Sequence, residues 1–232
     1  MASSVPDLHG GIWVVIAAYN EAAVIADVVR ALVVGGYHVV VVDDGSRDDT
    51  ATRAHRAGAV VVRHVINRGQ GAALQSGLRY ALSHDAQIVV TFDADGQHYP
   101  EDVTRLVRPI LDGTADIALG SRLLEHSASV PLARRILLRG AVIFTGVMSG
   151  ARLTDAHNGL RAMSRRAAAR VDLQLDRMAH ASEIIDQLVL TGLPLIEVPV
   201  NVRYTPYSIE KGQRAGNAAR IVWDYLLSKW SR

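Results

Sequence analysis

Residues 11–36 read GIWVVIAAYNEAAVIADVVRALVVGG, a short apolar run followed by an amphipathic one. Ile12–Ala17 is continuously apolar between Gly11 and Asn20, the pattern of a strand covered on both faces. Val24, Ile25, Val28, Val29 and Leu32 then recur at helical spacing. The stretch predicts strand then helix, with Asn20 capping the helix through its side-chain oxygen and Gly35-Gly36 supplying the left-handed residue that stops it.

The same unit recurs outward. Val39–Val42 reads as a strand ending in Asp43-Asp44, and Asp48–Ala57 as a helix stopped by Gly58. Val60–Val65 precedes a helix over Gln70–Ser83 that puts Leu74, Leu78 and Leu82 on one face. Ile88–Phe92 runs into Asp93-Ala94-Asp95, Pro100 starts a helix carrying Val103, Leu106, Val107 and Ile110, and Ala115–Leu119 closes this half. Strands alternating with helices imply right-handed crossovers and a mostly parallel sheet flanked by helices, so the predicted class is a single α/β domain with Rossmann-like organisation. Beyond Gly120 the rhythm loosens into a basic-apolar segment over 134–152, a short strand near Gly159–Met163, a helix over Ala181–Leu190, a strand over Leu195–Val200 and an amphipathic helix over Ala218–Trp230.

With 232 residues, 49% of them hydrophobic, the chain buries one substantial core. Aromatics at 5% leave that core to Val, Ile, Leu and Ala, which favours α/β over an all-β sandwich. Cysteine is absent, which removes disulfides, thiolate zinc sites and cysteine nucleophiles. A net charge of +2 does not suit a nucleic-acid partner, although residues 201–232 carry six basic side chains against two acidic ones. The first eleven residues lack the layout of a signal peptide, and Ile136–Met148, interrupted by Arg139, falls short of the ~20 residues that span a bilayer. The expectation is a cytoplasmic protein without a transmembrane segment.

Chemistry concentrates at the strand ends, where ligands of such sheets bind. Phe92-Asp93-Ala94-Asp95-Gly96-Gln97-His98 places two carboxylates one residue apart just past a buried strand. Hard oxygen ligands there suit Mg²⁺ or Mn²⁺ facing a diphosphate. Ala18-Tyr19-Asn20-Glu21 and Asp43-Asp44-Gly45-Ser46 end the first two strands, and Asp44 and Glu21 can accept hydrogen bonds from a ribose or a base edge. Glu21 serves equally as a helix N-terminal charge, and so does Glu183. Gly69-Gln70-Gly71 opens like a dinucleotide fingerprint, but Leu74 stands where the third glycine belongs. His98 and His157 read as structural side chains.

Taken in order, Ala18-Tyr19-Asn20-Glu21, Val42-Asp43-Asp44-Gly45-Ser46, Asn67-Arg68-Gly69, Asp93-Ala94-Asp95-Gly96-Gln97-His98, Gly120-Ser121-Arg122 and the segment from Asp155 to Arg161 resemble glycosyltransferase family 2, in its dolichyl- or polyprenyl-phosphate hexosyltransferase branch. The resemblance runs from about Val14 to Tyr204 and implies a GT-A fold, with a nucleotide-sugar half over 1–120, an acceptor half over 121–204 and a basic tail over 205–232. It implies that Ala18, Tyr19, Glu21, Asp44, Asp93, Ala94 and Asp95 contact the nucleotide diphosphate sugar, and that Asp93, Asp95 and Gln97 hold the Mg²⁺ or Mn²⁺. Arg122, Arg135 and Arg203 look like contacts to the acceptor phosphate. Many relatives in this branch continue into C-terminal transmembrane helices, and no such continuation is expected here.

The activity so implied is inverting transfer of glucose or mannose to a polyprenyl phosphate, with Asp95 and Asp155 as the catalytic carboxylates. Asp155 acts there as a base or as an orienter of metal and acceptor. Arg134, Arg135, Arg139 and Arg152 around Ile136–Met148 suit peripheral contact with an anionic membrane at the inner face of the cell membrane, or else a buried helix with solvated arginines. The alternatives are a soluble glycosyltransferase acting on a sugar or small-molecule hydroxyl, which needs Asp155 as a true general base, and a non-catalytic nucleotide-sugar-binding module.

Overall fold

The computed structural model describes residues 11–124, 153–155, 158–175 and 180–203. In chain order these form β1 (Ile12–Ala18), α1 (Ile25–Val34), β2 (His38–Asp43), α2 (Thr50–Arg56), β3 (Val60–Arg63), α3 (Gln70–Ser83), β4 (Ile88–Asp93), α4 (Pro100–Leu111), β5 (Ile117–Ser121), β6 (Arg161–Ser164), α5 (Arg165–Ala168), α6 (His180–Leu190) and β7 (Leu195–Pro199). The segment 134–152, Arg135 within it, His157 and the tail from residue 204 lie outside the described residues.

One seven-stranded sheet runs β3-β2-β1-β4-β6-β5-β7. Its pairs are parallel except where β6 enters antiparallel between β4 and β5. The alternation of side chains along β1 divides the core in two. Ile12, Val14 and Ile16 join α1 and α4 on one face, while Trp13 and Val15 join α3, α5 and α6 on the other. Central strands buried on both faces explain the unbroken apolar runs in the sequence.

Helix boundaries follow local chemistry, with one difference from expectation. Gly36 takes the left-handed conformation (φ 84°) that ends α1, and Pro100 occupies the first turn of α4. Asn20 does not cap α1, whose N-cap is Val24 without a side-chain bond. Asn20 is itself left-handed (φ 54°), and its Oδ1 accepts from the amide of Arg47 instead. Its side chain therefore ties the β1–α1 loop to the β2–α2 loop. The same seam continues where Ser46 Oγ accepts from the Asn20 amide, Thr50 Oγ1 from the Glu21 amide and Asp48 from the Ala22 amide.

Helix α3 lies unusually close to the sheet at Gly77, where an added Cβ would fall 2.3 Å from Val15 Cγ1 and 3.2 Å from Val42 Cγ2. Alanine at a helix interior gains about 1 kcal/mol of propensity over glycine, whereas overpacking a close-packed core costs about 1–3 kcal/mol. Both contacted atoms belong to stiff valines in central strands, so the clash dominates. Gly77→Ala is expected to lower unfolding stability in denaturant titration by about 1 kcal/mol, and an increase would contradict this packing.

Candidate active site

The strand register gathers the motifs. Ala18 pairs with Asp43 and Ala17 with Asp93, so the carboxyl ends of β1, β2 and β4 open into one crevice. Tyr19, Glu21, Asp44, Ala94 and Asp95 follow directly on these strands, and the ring of Tyr19 is exposed.

Asp44 is buried and its carboxylate is fully engaged within the protein. Oδ1 accepts from the Arg68 amide (2.9 Å), Oδ2 from the Gly69 amide (2.7 Å), and His64 Nδ1 lies 2.7 Å from Oδ1. His64 is held in turn by Ser76 of α3 through Nε2. Asp44 thus fastens the 64–69 loop at the start of α3, and any ligand it serves is met through that loop.

Asp93 is gripped from three sides. His98 Nε2 lies 3.1 Å from Oδ2, Gln70 Nε2 lies 3.4 Å from Oδ1, and the backbone of Gly159 packs so tightly that a Cβ there would sit 2.2 Å from Oδ2. Burial pushes the Asp93 carboxyl up, but the hydrogen bond with His98 and electrostatic interactions with His98, Arg161 and His180 outweigh it and hold the group below the usual carboxylate value. Asp95 moves the other way: burial first, then the negative charge of Asp93, raise it against the Gln97 amide, which donates to Oδ1 at 3.0 Å. Two adjacent carboxylates, one held ionised and one disfavoured as an anion by its neighbour, form a site that gains from a cation. Among the described residues no cluster of three or more His, Asp or Glu forms a metal site. Two protein oxygens suit an ion such as Mg²⁺, which keeps waters and substrate phosphates as its other ligands.

Asp155 and Arg122 form a buried bidentate pair, with Arg122 Nε 2.6 Å from Oδ2 and Nη2 2.8 Å from Oδ1. The Arg122 amide also donates to Oδ2. Glu197 of β7 supports the pair by accepting from the amides of Thr154 and Asp155. Arg203 stands apart from it: its amide donates to the Gln97 carbonyl and its guanidinium covers the Tyr99 ring at 4.2 Å. A cleft of about 480 Å³ between Val28, Asp95, Gly96, His98, Pro100 and Arg203 opens beside Asp95. Gln97 thus enters the site through its backbone contacts to Asp95 and Arg203.

Glu183, in the first turn of α6, accepts from the amides of Gln174 and Leu175. The loop it fastens packs on Gly71 of α3, where a Cβ would lie 2.3 Å from the Leu175 carbonyl. Sequence reasoning included Asn158 and Arg161 only within the motif from Asp155 to Arg161 and gave neither a role. Arg161 opens β6 and is 3% exposed. Its signal was a lone arginine in the otherwise apolar Leu160–Met163.

The profile of the family "Glycosyl transferase family 2" matches residues 13–171, and the chain belongs to that family. It is a glycosyltransferase with a GT-A fold. It is 40% identical over 223 residues to an uncharacterized protein of Methanocaldococcus jannaschii, covering 94% of this chain and 92% of the relative. It is 30% identical over 243 residues to the UDP-N-acetylglucosamine–dolichyl-phosphate N-acetylglucosaminyltransferase of Methanococcus voltae, covering 95% and 97%. Its fold is similar to that of glucosyl-3-phosphoglycerate synthase from Mycobacterium tuberculosis in complex with Mn²⁺, UDP and phosphoglyceric acid, with a TM-score of 0.69, 26% identity, and coverage of 94% of this chain and 77% of the other.

Replacing Asp44 by alanine removes the acceptor for two amides and His64 at once, and hydrogen bonds to a charged group contribute about 1.5–3 kcal/mol each. Asp44→Ala is expected to speed amide hydrogen exchange over residues 64–70 by at least about 10-fold while β1 and β4 stay protected. Unchanged exchange there would remove Asp44 as the fastener of the loop.

Proposed function

We propose that this enzyme transfers a hexose or N-acetylhexosamine from a nucleotide diphosphate sugar to the phosphate of a polyprenyl phosphate, with Mg²⁺ or Mn²⁺ held at Asp93 and Asp95. The observation that carries this reading is the carboxylate pair Asp93 and Asp95 at the end of β4, one held as an anion and the other disfavoured by it, with the buried Arg161 in charge range of both Asp93 and the Arg122–Asp155 pair. Support comes from the M. voltae relative, which matches almost end to end and whose name gives dolichyl phosphate as acceptor, and from the structural neighbour that holds Mn²⁺ and UDP.

In the proposed reaction a phosphate oxygen of the acceptor bonds to the anomeric carbon from the face opposite the leaving group. The bond from that carbon to the diphosphate breaks, and the nucleotide diphosphate departs with the electron pair. A bound divalent ion would act as a Lewis acid toward the developing charge on the diphosphate. A phosphate acceptor has a second pKa of about 6, so it is anionic near neutral pH and needs positioning more than deprotonation. That fits Asp155, whose two oxygens both hold Arg122. We assign Asp155 the role of aiming Arg122 at the acceptor, Tyr19 and Glu21 the nucleoside, and the 64–69 loop fastened by Asp44 the donor side.

A second reading, transfer to a soluble phosphorylated acid, is favoured by the structural neighbour with phosphoglyceric acid bound. Both readings share a phosphate-bearing acceptor and differ in the lipid.

Incubation of UDP-glucose, UDP-N-acetylglucosamine and GDP-mannose with undecaprenyl phosphate or phosphoglyceric acid in Mn²⁺, with products detected by mass, separates them. The lipid-linked sugar is the expected product, and product only from phosphoglyceric acid would overturn the acceptor. Asp95→Ala, or EDTA, is expected to lower turnover by roughly 100-fold or more without loss of fold. Full activity of folded Asp95→Ala in chelator would overturn the metal site.

Peripheral membrane contact belongs to the same proposal and is assigned to Ile136–Met148 and its arginines, which lie outside the described residues. Among the described residues no helix is long and apolar enough to cross a membrane. A basic side chain near an anionic surface contributes about 1 kcal/mol, so salt should release the protein from anionic vesicles. Arg134→Glu/Arg139→Glu is expected to cut co-sedimentation at low salt, and equal sedimentation would remove this segment from the membrane reading.

A further inference from the structure

Arg161 is a buried cation at the strand end that carries Asp93. It opens β6 at the carboxyl end of the sheet, directly opposite Thr91 of β4 and Leu119 of β5. Residues paired across a sheet share a face, and alternate residues of a strand share it too. Arg161, Thr91 and Asp93 therefore stand on one face of the sheet. Its charge acts on both Asp93 and Asp155, which places it electrostatically between the carboxylate pair and the Arg122–Asp155 pair.

A guanidinium carries five N–H donors, and burying them without partners is costly. Arg161 is 3% exposed, and no hydrogen bond from its guanidinium to a described residue forms. Its only polar interactions there are charge interactions with Asp93, Asp155 and Arg122. Burial lowers it to about 10, so it stays charged at neutral pH. The same short segment holds a buried donor with no partner among the described residues. Asn158, also 3% exposed, accepts at Oδ1 from the Leu160 amide, while its Nδ2 is buried with no partner among the described residues. Between them Gly159 lies against the Asp93 carboxylate. The two side chains flank that glycine, and neither donates a hydrogen bond to another described residue.

We propose that Arg161 is a substrate-phosphate ligand that grips either the diphosphate of the donor or the phosphate of the acceptor at the meeting point of the two halves of the site. The assignment rests on the proposed reaction for the identity of the acceptor. A planar fork suits phosphate oxygens better than an ammonium does, so the contact depends on shape as well as charge.

The full-length protein, Arg161→Lys and Arg161→Met are titrated calorimetrically with UDP, GDP, uridine and guanosine in Mn²⁺, and KM for undecaprenyl phosphate is measured alongside. Arg161→Met is expected to weaken one phosphate-bearing ligand roughly 10- to 100-fold, with partial recovery in Arg161→Lys and no change for the nucleosides. A loss for UDP or GDP assigns Arg161 to the donor diphosphate, and a loss confined to KM assigns it to the acceptor. Unchanged nucleotide affinity and unchanged KM in either folded variant would overturn the proposal, as would equal losses for nucleotide and nucleoside. If Arg161→Met does not fold, Arg161→Lys decides by the same readings. Wild type that makes no lipid product contradicts the acceptor reading, and the nucleotide titrations then decide Arg161 alone.

Discussion

The site depends on how the Asp93 carboxylate is held at the end of β4. Four elements converge on it: its own strand, the turn that carries His98, the start of α3 through Gln70, and the backbone of Gly159 leading into β6. The antiparallel β6 lies between β4 and β5, so it brings Gly159 and Arg161 to the same end of the sheet as Asp93. A parallel strand in that position would place them at the opposite end. The topology of the second half of the domain is thus tied to the electrostatics of one carboxylate.

Around that point the loops are fixed by hydrogen bonds in advance of any ligand. The β1–α1 and β2–α2 loops are laced through Asn20, Ser46, Asp48 and Thr50, and Asp44 holds the 64–69 loop by two amides and a histidine. Catalytic groups held this way need little reorganisation when substrate arrives, which is where much of an enzyme's rate advantage arises. The division of labour is also electrostatic. Positive groups keep Asp93 ionised, Asp93 in turn disfavours the charge on Asp95, and Arg122 is neutralised by Asp155.

The strands and helices of residues 12–121 were legible because fully buried parallel strands leave unbroken apolar runs and their crossover helices leave a 3.6-residue period. The convergence of Tyr19, Asp44 and Asp93 followed from the same logic, since each stands just past such a run. The orientation of β6 was not legible: Leu160–Met163 is four residues long and carries no mark of direction. Asn20 was read as a helix cap because its residue type suits one, and tertiary bonds to Ser46 and Arg47 claimed it instead. Asp44 was legible as important but not for its contacts, since the partners that consume its oxygens lie about twenty residues away in sequence. Arg161 entered only as the end of a motif and was given no role, because a single arginine in a strand ordinarily marks an exposed edge and only its place between β4 and β5 shows it buried.

The central claim is that Asp93 and Asp95 form half of a cation site whose other half is the donor diphosphate. Mn²⁺ binding, followed by electron paramagnetic resonance with and without UDP or GDP, tests it directly. Binding to the protein alone should be weak, because two carboxylates leave most ligand positions to water, and should tighten at least about 10-fold with nucleotide, with the nucleotide tightened by the same factor in return. Mn²⁺ affinity that is the same with and without nucleotide, or unaltered in Asp93→Asn and Asp95→Asn, would contradict the account.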